Sequence, residues 1–185
     1  MTKKEARQLF KSQIKLITNE EKNKRTNELI NLISNLEEFK KATKIAIYYP
    51  LKYEMNLTKL IELFPMKKFY FPKVVKDSLN FYLITNLEEL KPSLFGLKEP
   101  LESVNLERDI EVYLVPCLAS SNNYRIGHGA GFYDKYFAKY NGFKVGITYH
   151  EFKDLDVDYN DHDIPMDVIL WQRLSLRLEK AKGLI

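Results

Sequence analysis

The sequence predicts an α/β protein in which a mostly parallel or mixed central sheet carries helices on both faces. Two observations support this fold class. Segments with helical periodicity alternate with short strand-like runs, and several of these runs are apolar at successive positions. Such runs are typical of strands buried on both faces, and these strands need helices on each side of the sheet. The chain shows no repeat, low-complexity segment or linker, so we expect one domain over residues 1–185.

The helices are predicted from apolar residues that recur with a period near 3.6. Phe10, Ile14 and Ile17 fall on one helical face, and a second set with the same spacing starts at Leu29. The first 40 or so residues are therefore expected to form two helices. Two later segments are also predicted to be helical: 56–64 and 132–140.

The strands are predicted from runs rich in β-branched, aromatic and aliphatic residues. KIAIYYP (44–50) is closed by a proline, and IEVYLVP (110–116) leads into a glycine-rich loop. The full set of predicted strands covers residues 44–50, 68–74, 79–85, 110–116, 143–149 and 168–170. Between the third and fourth of these strands we expect a short helical turn and a loop punctuated by proline and glycine, and a charged tail is expected after the last strand.

Composition excludes several classes of protein. No apolar run approaches the roughly 20 residues of a membrane helix, and Cys117 is the only cysteine, so an intrachain disulfide and a cysteine-based zinc site are excluded. We expect a cytoplasmic monomer that does not bind a membrane. Residues 1–44 hold 11 Lys or Arg against 6 Asp or Glu. This excess favours an anionic partner, either nucleic acid or small phosphorylated or carboxylated molecules, although a solvated helix face gives the same pattern.

The stretch YRIGHGAGFYD (124–134) places glycines at every second position, Gly127, Gly129 and Gly131, between a predicted strand and a predicted helix. In that context, backbone N–H groups and a helix N-terminus converge on an anion, and glycine lets the main chain approach it closely. The spacing G-x-G-x-G is neither the dinucleotide fingerprint nor a P-loop. A turn that serves only the strand-to-helix geometry is the alternative.

Charged residues flank this loop and indicate what it binds. Arg125 is a forked donor suited to phosphate oxygens, and Asp134 is placed to ligate a Mg²⁺ ion that bridges those oxygens. His128 lies inside the loop as a candidate ligand contact or an exposed side chain. The pattern favours a nucleoside triphosphate with its metal. The basic residues do not alternate with aromatic ones in a nucleic-acid-binding motif, so we expect no nucleic-acid partner.

Several segments, taken in order, resemble the 5-formyltetrahydrofolate cyclo-ligase family. RIGHGAGFYD resembles its R-[LI]-G-x-G-x-G-Y-Y-D signature, and KKEAR resembles its K-x-x-x-R, which matches Lys3 and Arg7. IAIYYPLKYE resembles a first-strand segment that ends in a folate-binding glutamate, here Glu54. LFGLKEP and LVPCLA match two intermediate segments, and HDIPMDVIL resembles the closing stretch, with Asp167 at its metal-associated position. The chain departs from the pattern at PCLASSN and at Phe132, which replaces a tyrosine.

The resemblance implies a three-layer α/β fold related to ribose-5-phosphate isomerase and coenzyme A transferases, and it implies ATP and Mg²⁺ as cofactors. It assigns catalytic roles to Arg125 and Lys3, and metal ligation to Asp134 and Asp167. The residues implied to bind the folate substrate are Tyr49, Glu54, Phe95 and Arg125. The implied ATP-binding residues are Lys3, Arg7, Arg125, Ile126, Gly127, His128, Gly129, Ala130, Gly131, Phe132 and Tyr133.

The implied reaction converts 5-formyltetrahydrofolate and MgATP to 5,10-methenyltetrahydrofolate, ADP and phosphate. An N-formyl oxygen is a poor leaving group, and its phosphorylation lets N10 of the folate attack the formyl carbon while phosphate departs. Phosphoryl transfer depends on positioning and charge neutralisation more than on an enzyme nucleophile. One alternative is another ATP-dependent ligase or a sugar-phosphate enzyme on the same sheet, because a fold does not fix a function. The other is a basic nucleic-acid-binding protein that uses the positively charged N-terminal helices.

Overall fold

The computed structural model describes residues 1–103 and 105–171, and the predicted charged tail lies outside this part of the chain. The helices of the described residues are α1 Lys3–Gln13, α2 Asn19–Ser34, α3 Glu37–Lys41, α4 Lys59–Leu63 and α5 Phe132–Phe137. The strands are β1 Lys44–Ala46, β2 Lys68–Val75, β3 Ser78–Leu83, β4 Lys91–Pro92, β5 Lys98–Glu99, β6 Leu106–Glu107, β7 Val112–Pro116, β8 Ala119–Ser121, β9 Tyr124–Ile126, β10 Phe143–Ile147 and β11 Val168–Leu170. Short 3₁₀ turns lie at Ile14–Leu16, Leu87–Glu89, Leu94–Gly96 and His150–Phe152.

Seven strands form one mixed sheet in the order β11-β10-β7-β1-β2-β3-β6. The five strands from β11 to β2 are parallel to one another, whereas β3 and β6 continue the sheet as antiparallel strands. The antiparallel β2–β3 pair is a hairpin made from the predicted strands 68–74 and 79–85. Two small antiparallel hairpins, β4–β5 and β8–β9, lie outside this sheet.

The central strands are apolar on both faces because each face is covered. In β1, Ile45 belongs to one core, whereas the adjacent Ala46 belongs to the other. The first core includes residues of α1 to α4, and the second includes Tyr136 and Phe137 of α5. The ring centroids of Tyr136 and of Phe81, in β3, lie 4.9 Å apart. The predicted α/β sandwich with helices on both faces is therefore confirmed.

The main departure from the predicted elements is the β8–β9 hairpin. The sequence predicts a loop between β7 and the glycines, but the chain forms two paired strands there. Asn122 and Asn123 form the two-residue turn, and Asn122 has a left-handed φ of 51°. Asparagine tolerates this conformation in tight hairpins. Ser121, buried in β8, donates its hydroxyl to the carbonyl of Val157 at 3.0 Å.

Three short strands, β4 to β6, lie where a helical turn and a loop are predicted, and several predicted elements are shorter in the structure. β1 ends at Ala46 and not at the predicted residue 50, and α5 ends at Phe137 and not at residue 140. Among the described residues, no helix is long and apolar enough to cross a bilayer.

Candidate active site

The glycine loop, residues 127–131, lies beyond the carboxyl end of β7. The N–H of Leu118, two residues after β7, donates to the carbonyl of Ile126 at 2.9 Å and so places the loop at this edge. Ligand crevices of open α/β sheets lie at the carboxyl ends of their strands. Gly129 has a φ of 110° and Gly131 a φ of 72°, so both need the freedom of glycine. Gly131 directly precedes α5.

Arg125 is fixed beside the loop by contacts with the main chain and with an aromatic ring. Its Nη2 donates to the carbonyl of Pro116 at 2.9 Å and its Nε to the same oxygen at 3.3 Å. The guanidinium lies 4.9 Å from the ring centroid of Tyr133. A Cβ atom on Gly127 would overlap this guanidinium. The first glycine of the loop therefore makes room for the arginine.

Helix α1 brings two more cations to the loop. Arg7 donates through Nε to the carbonyl of Gly127 at 2.7 Å, and its guanidinium carbon lies 3.5 Å from the position of a Cβ on Gly129. Lys3, one turn earlier, pairs through Nζ with both oxygens of Asp163 at 2.5 and 2.6 Å. The two cations share a helix face because they lie four residues apart.

Asp134 lies next to Asp163, which the sequence analysis did not select. The Oδ1 atom of Asp134 accepts the N–H of Ile164 at 3.1 Å. Asp134 therefore contacts the main chain directly after Asp163, and the carboxylate of Asp163 is itself paired with Lys3. A signal for Asp163 was present, since it is the first aspartate of HDIPMD, but nothing local separates it from the second.

That second aspartate, Asp167, is not brought to Asp134, contrary to its predicted role as a partner metal ligand. Its Oδ2 accepts the N–H of Lys144 at 2.7 Å and lies 3.6 Å from Nζ of the same lysine. Lys144 is near the amino end of β10, whereas the glycine loop follows the carboxyl end of β7. The extended segment between the two aspartates carries Asp167 away from the loop.

A narrow cleft beside Arg125 contains Glu54. The carboxyl group of Glu54 accepts the N–H of Leu51 at 2.8 Å. Removal of water by the cleft walls raises the pKa of Glu54 to about 7, while the hydrogen bond from Leu51 and the charge of Arg125 act to lower it. The cleft is lined by Phe10, Tyr48, Tyr53, Glu54, Met55, Pro116, Cys117, Leu118, Ile147, Thr148 and Tyr149.

Tyr49 and Phe95, the other predicted folate contacts, lie on segments that approach each other. Nζ of Lys98, in β5, lies 4.9 Å from the ring centroid of Tyr49. Phe95 belongs to the 3₁₀ turn Leu94–Gly96 between β4 and β5, and its side chain is not among those described. This hairpin therefore stands next to the chain that follows β1.

The remaining predicted nucleotide contacts differ in their exposure. Ile126 is buried in the core, so only its main chain can face a ligand. Ala130 is exposed, and Phe132 is half-buried against the core on the α5 side. Burial raises the pKa of Tyr133, so its hydroxyl stays protonated. The ring of Tyr133 packs against the Arg125 guanidinium.

A contact that the sequence analysis missed joins the cleft to the glycine loop. The hydroxyl of Tyr53 is hydrogen-bonded to Nε2 of His128, and the two ring centroids lie 5.9 Å apart. The opposite side of Tyr53 packs against Phe10 at 5.3 Å, and its carbonyl accepts the hydroxyl of Tyr149 at 2.7 Å. No sequence pattern pairs residues that lie 75 positions apart.

The chain resembles known folate enzymes in sequence and in fold. Residues 1–172 match the model of the 5-formyltetrahydrofolate cyclo-ligase family. The solved structure of a 5,10-methenyltetrahydrofolate synthetase from Aquifex aeolicus is similar, with 30% identity and a TM-score of 0.80 over 94% of this chain and 93% of that one. A synthetase from Mycoplasma pneumoniae has the same fold, with 22% identity and a TM-score of 0.74 over 93% and 99%. A probable 5-formyltetrahydrofolate cyclo-ligase of Caenorhabditis elegans is 22% identical over 92% of each chain.

Proposed function

This chain belongs to the 5-formyltetrahydrofolate cyclo-ligase family, and we propose that its glycine loop and neighbouring cleft hold ATP and 5-formyltetrahydrofolate side by side. The chain is an enzyme that converts 5-formyltetrahydrofolate to 5,10-methenyltetrahydrofolate, and the family uses ATP for this step. The observation that supports the arrangement is the position of Arg125. Its guanidinium lies against Gly127 of the loop, and its charge acts on the carboxyl group of Glu54 in the cleft.

The proposed nucleotide site is formed by the loop and three cations. The backbone N–H groups of the glycine loop, together with Arg7, Arg125 and Lys3, surround the position where a phosphate chain fits. Arg7 and Arg125 use only some of their N–H groups in the contacts described above and donate to main-chain carbonyls, so their positive charges are available to an anion. Positive charge at this point neutralises the charge that develops during phosphoryl transfer.

The carboxylates beside the loop fit a magnesium ion. Among the described residues, no group of three or more His, Cys, Asp or Glu side chains could hold a metal alone. Mg²⁺ is usually held by one or two carboxylates together with substrate phosphates, and the proposed carboxylates are Asp134 and Asp163, which lie on contacting segments. When bound, the ion would neutralise phosphate oxygens. Asp167, paired with Lys144, is not part of this proposal.

In the proposed reaction the formyl oxygen of the folate takes the terminal phosphoryl group of ATP. ADP departs, N10 attacks the formyl carbon and loses its proton, the carbon–oxygen bond breaks, and phosphate leaves with the former formyl oxygen. Arg125 and Lys3 hold the reacting phosphoryl group by charge and hydrogen bonds. No enzyme nucleophile is required. Cys117 is not suited to that role, because burial raises the pKa of its thiol and disfavours the reactive thiolate.

The proposed folate site is the cleft of Glu54 together with the hairpin that carries Phe95. The Glu54 carboxyl binds polar groups of the pterin, and the aromatic walls pack on its ring. Tyr49 is included in this site because its ring contacts Lys98 of the same hairpin. Its role in folate binding stays a prediction, as do the monomeric state and the absence of a nucleic-acid partner.

The test is a direct assay of the reaction. Purified protein is mixed with ATP, Mg²⁺ and 5-formyltetrahydrofolate, and the near-ultraviolet absorbance of the methenyl product is followed. We expect a signal that needs both ATP and the metal. The variant Asp134→Asn should keep the fold, checked by circular dichroism, and lose most of the metal-dependent turnover. A folded Asp134→Asn protein with unchanged turnover would remove Asp134 from the metal site, and a folded wild type without product would refute the proposed function.

A further inference from the structure

The Tyr53–His128 pair is a direct side-chain link between the two proposed substrate sites. His128 belongs to the glycine loop, and Tyr53 precedes Glu54 in the cleft. The charge of Arg125 also acts on Glu54, but in the described part of the chain the guanidinium donates its hydrogen bonds to Pro116 and not to Glu54. The Tyr53–His128 hydrogen bond therefore provides a mechanical connection in addition to an electrostatic one.

The direction of this hydrogen bond follows from the surroundings of the two groups. Loss of water and the nearby cations Arg125, Arg7 and Lys11 lower the pKa of His128, so its imidazole is neutral. Loss of water and the Glu54 carboxylate raise the pKa of Tyr53 to about 12. The Tyr53 hydroxyl is therefore the donor, Nε2 of His128 is the acceptor, and the proton of the imidazole lies on Nδ1.

Both ends of the link are attached to parts of the site that a ligand would order. The ring of Tyr53 rests on Phe10 of α1, and its carbonyl is held by Tyr149 after β10. His128 lies between Gly127, whose carbonyl binds Arg7, and Gly129, whose φ of 110° only glycine adopts readily. A phosphate chain that orders the glycine loop would therefore also restrict Tyr53 and the cleft wall that it forms.

We propose that the Tyr53–His128 hydrogen bond makes nucleotide binding and folate binding mutually dependent, with each substrate strengthening the binding of the other. This inference rests on the proposed function. Two loops that are joined lose their freedom together, so the first ligand to bind orders both loops and the second meets loops already ordered. Such coupling is reciprocal by thermodynamic necessity. Tyr53 and His128 act as positioning residues.

The experiment measures the affinity for 5-formyltetrahydrofolate by calorimetry, without and with a saturating β,γ-imido analogue of ATP and Mg²⁺. The proteins are wild type, Tyr53→Phe, His128→Ala and the double variant. In wild type we expect the analogue to lower the Kd for the folate about two- to tenfold, the range that one net hydrogen bond gives. Tyr53→Phe keeps the ring on Phe10 and loses only the hydroxyl. This change should bring the ratio of the folate Kd without the analogue to the folate Kd with it close to one.

The ratio of the two Kd values should also be close to one in His128→Ala and in the double variant, because either change breaks the same hydrogen bond. Tyr159→Phe is the matched control, since it removes the hydroxyl of a half-exposed tyrosine that stacks on Tyr124 outside both sites. A wild-type ratio in Tyr53→Phe, or additive effects of the two changes, would overturn the inference. Because the wild-type product assay is independent of this ratio, failure of the proposed function is distinguished from failure of the coupling.

Discussion

Replacement of Glu54 by glutamine should make the protein more stable at alkaline pH. Loss of water in the cleft raises the pKa of Glu54 from its ordinary value of 4.5 to about 7. The folded protein therefore binds this proton more tightly than the unfolded chain does. The stability that the neutral carboxyl group contributes is fully present below pH 4.5 and is lost as the pH rises to about 7. Glutamine keeps the shape and cannot ionise.

The size of the effect follows from the two pKa values. The difference between 4.5 and about 7 corresponds to about 3 kcal/mol in the free energy of unfolding. About 2.5 kcal/mol of this is expected to develop between pH 5 and pH 8.5, because the group is already partly ionised in the unfolded chain at pH 5. Glu54→Gln should therefore gain about 2.5 kcal/mol relative to wild type across this interval.

The assay is urea unfolding of wild type and Glu54→Gln at pH 5 and at pH 8.5, with free energies extrapolated to water. Glu62→Gln, a change at an exposed glutamate of α4, controls for the loss of a surface charge. If the two proteins differ in stability by the same amount at both values of pH, the cleft does not perturb Glu54 and the reasoning is refuted. The KM for the folate should rise in Glu54→Gln, since the carboxylate is the proposed contact of the pterin.

The remaining predictions concern the proposed phosphate and metal sites, and each is measured with the product assay. Arg125→Lys keeps the charge but loses the forked contact with Pro116, so kcat/KM should fall about 10-fold or more; an unchanged value contradicts that role. Gly127→Ala places a methyl group on the Arg125 guanidinium and should raise the KM for ATP about 10-fold in a folded protein, whereas a wild-type KM would show that the arginine can move at little cost. Asp163→Asn should raise the KM for MgATP and Asp167→Asn should not, and the opposite result would restore the sequence-based assignment.

Features that depend on local chemistry follow from the sequence. The α/β class follows from apolar runs and helical spacing, since the same residues that give the pattern are those that the sheet buries. The glycine loop is equally local: Gly129 and Gly131 adopt left-handed conformations within a few residues of Arg125. The resemblance to the cyclo-ligase family uses the same short segments, which is why the family could be stated before any contact was known.

The tertiary structure decides which distant residues meet. Asp163 and Asp167 lie four residues apart in one acidic stretch, and only the register of β10 and β11 places one beside Lys3 and the other beside Lys144. The pKa of Glu54 and its proximity to Arg125 likewise depend on walls contributed by several elements. Spacing along the chain fixes which side chains share a helix or strand face, but the pairing between strands fixes which faces meet. The sequence alone therefore determined the fold class and the glycine loop, whereas the Lys3–Asp163 ion pair and the Tyr53–His128 link needed the assembled sheet.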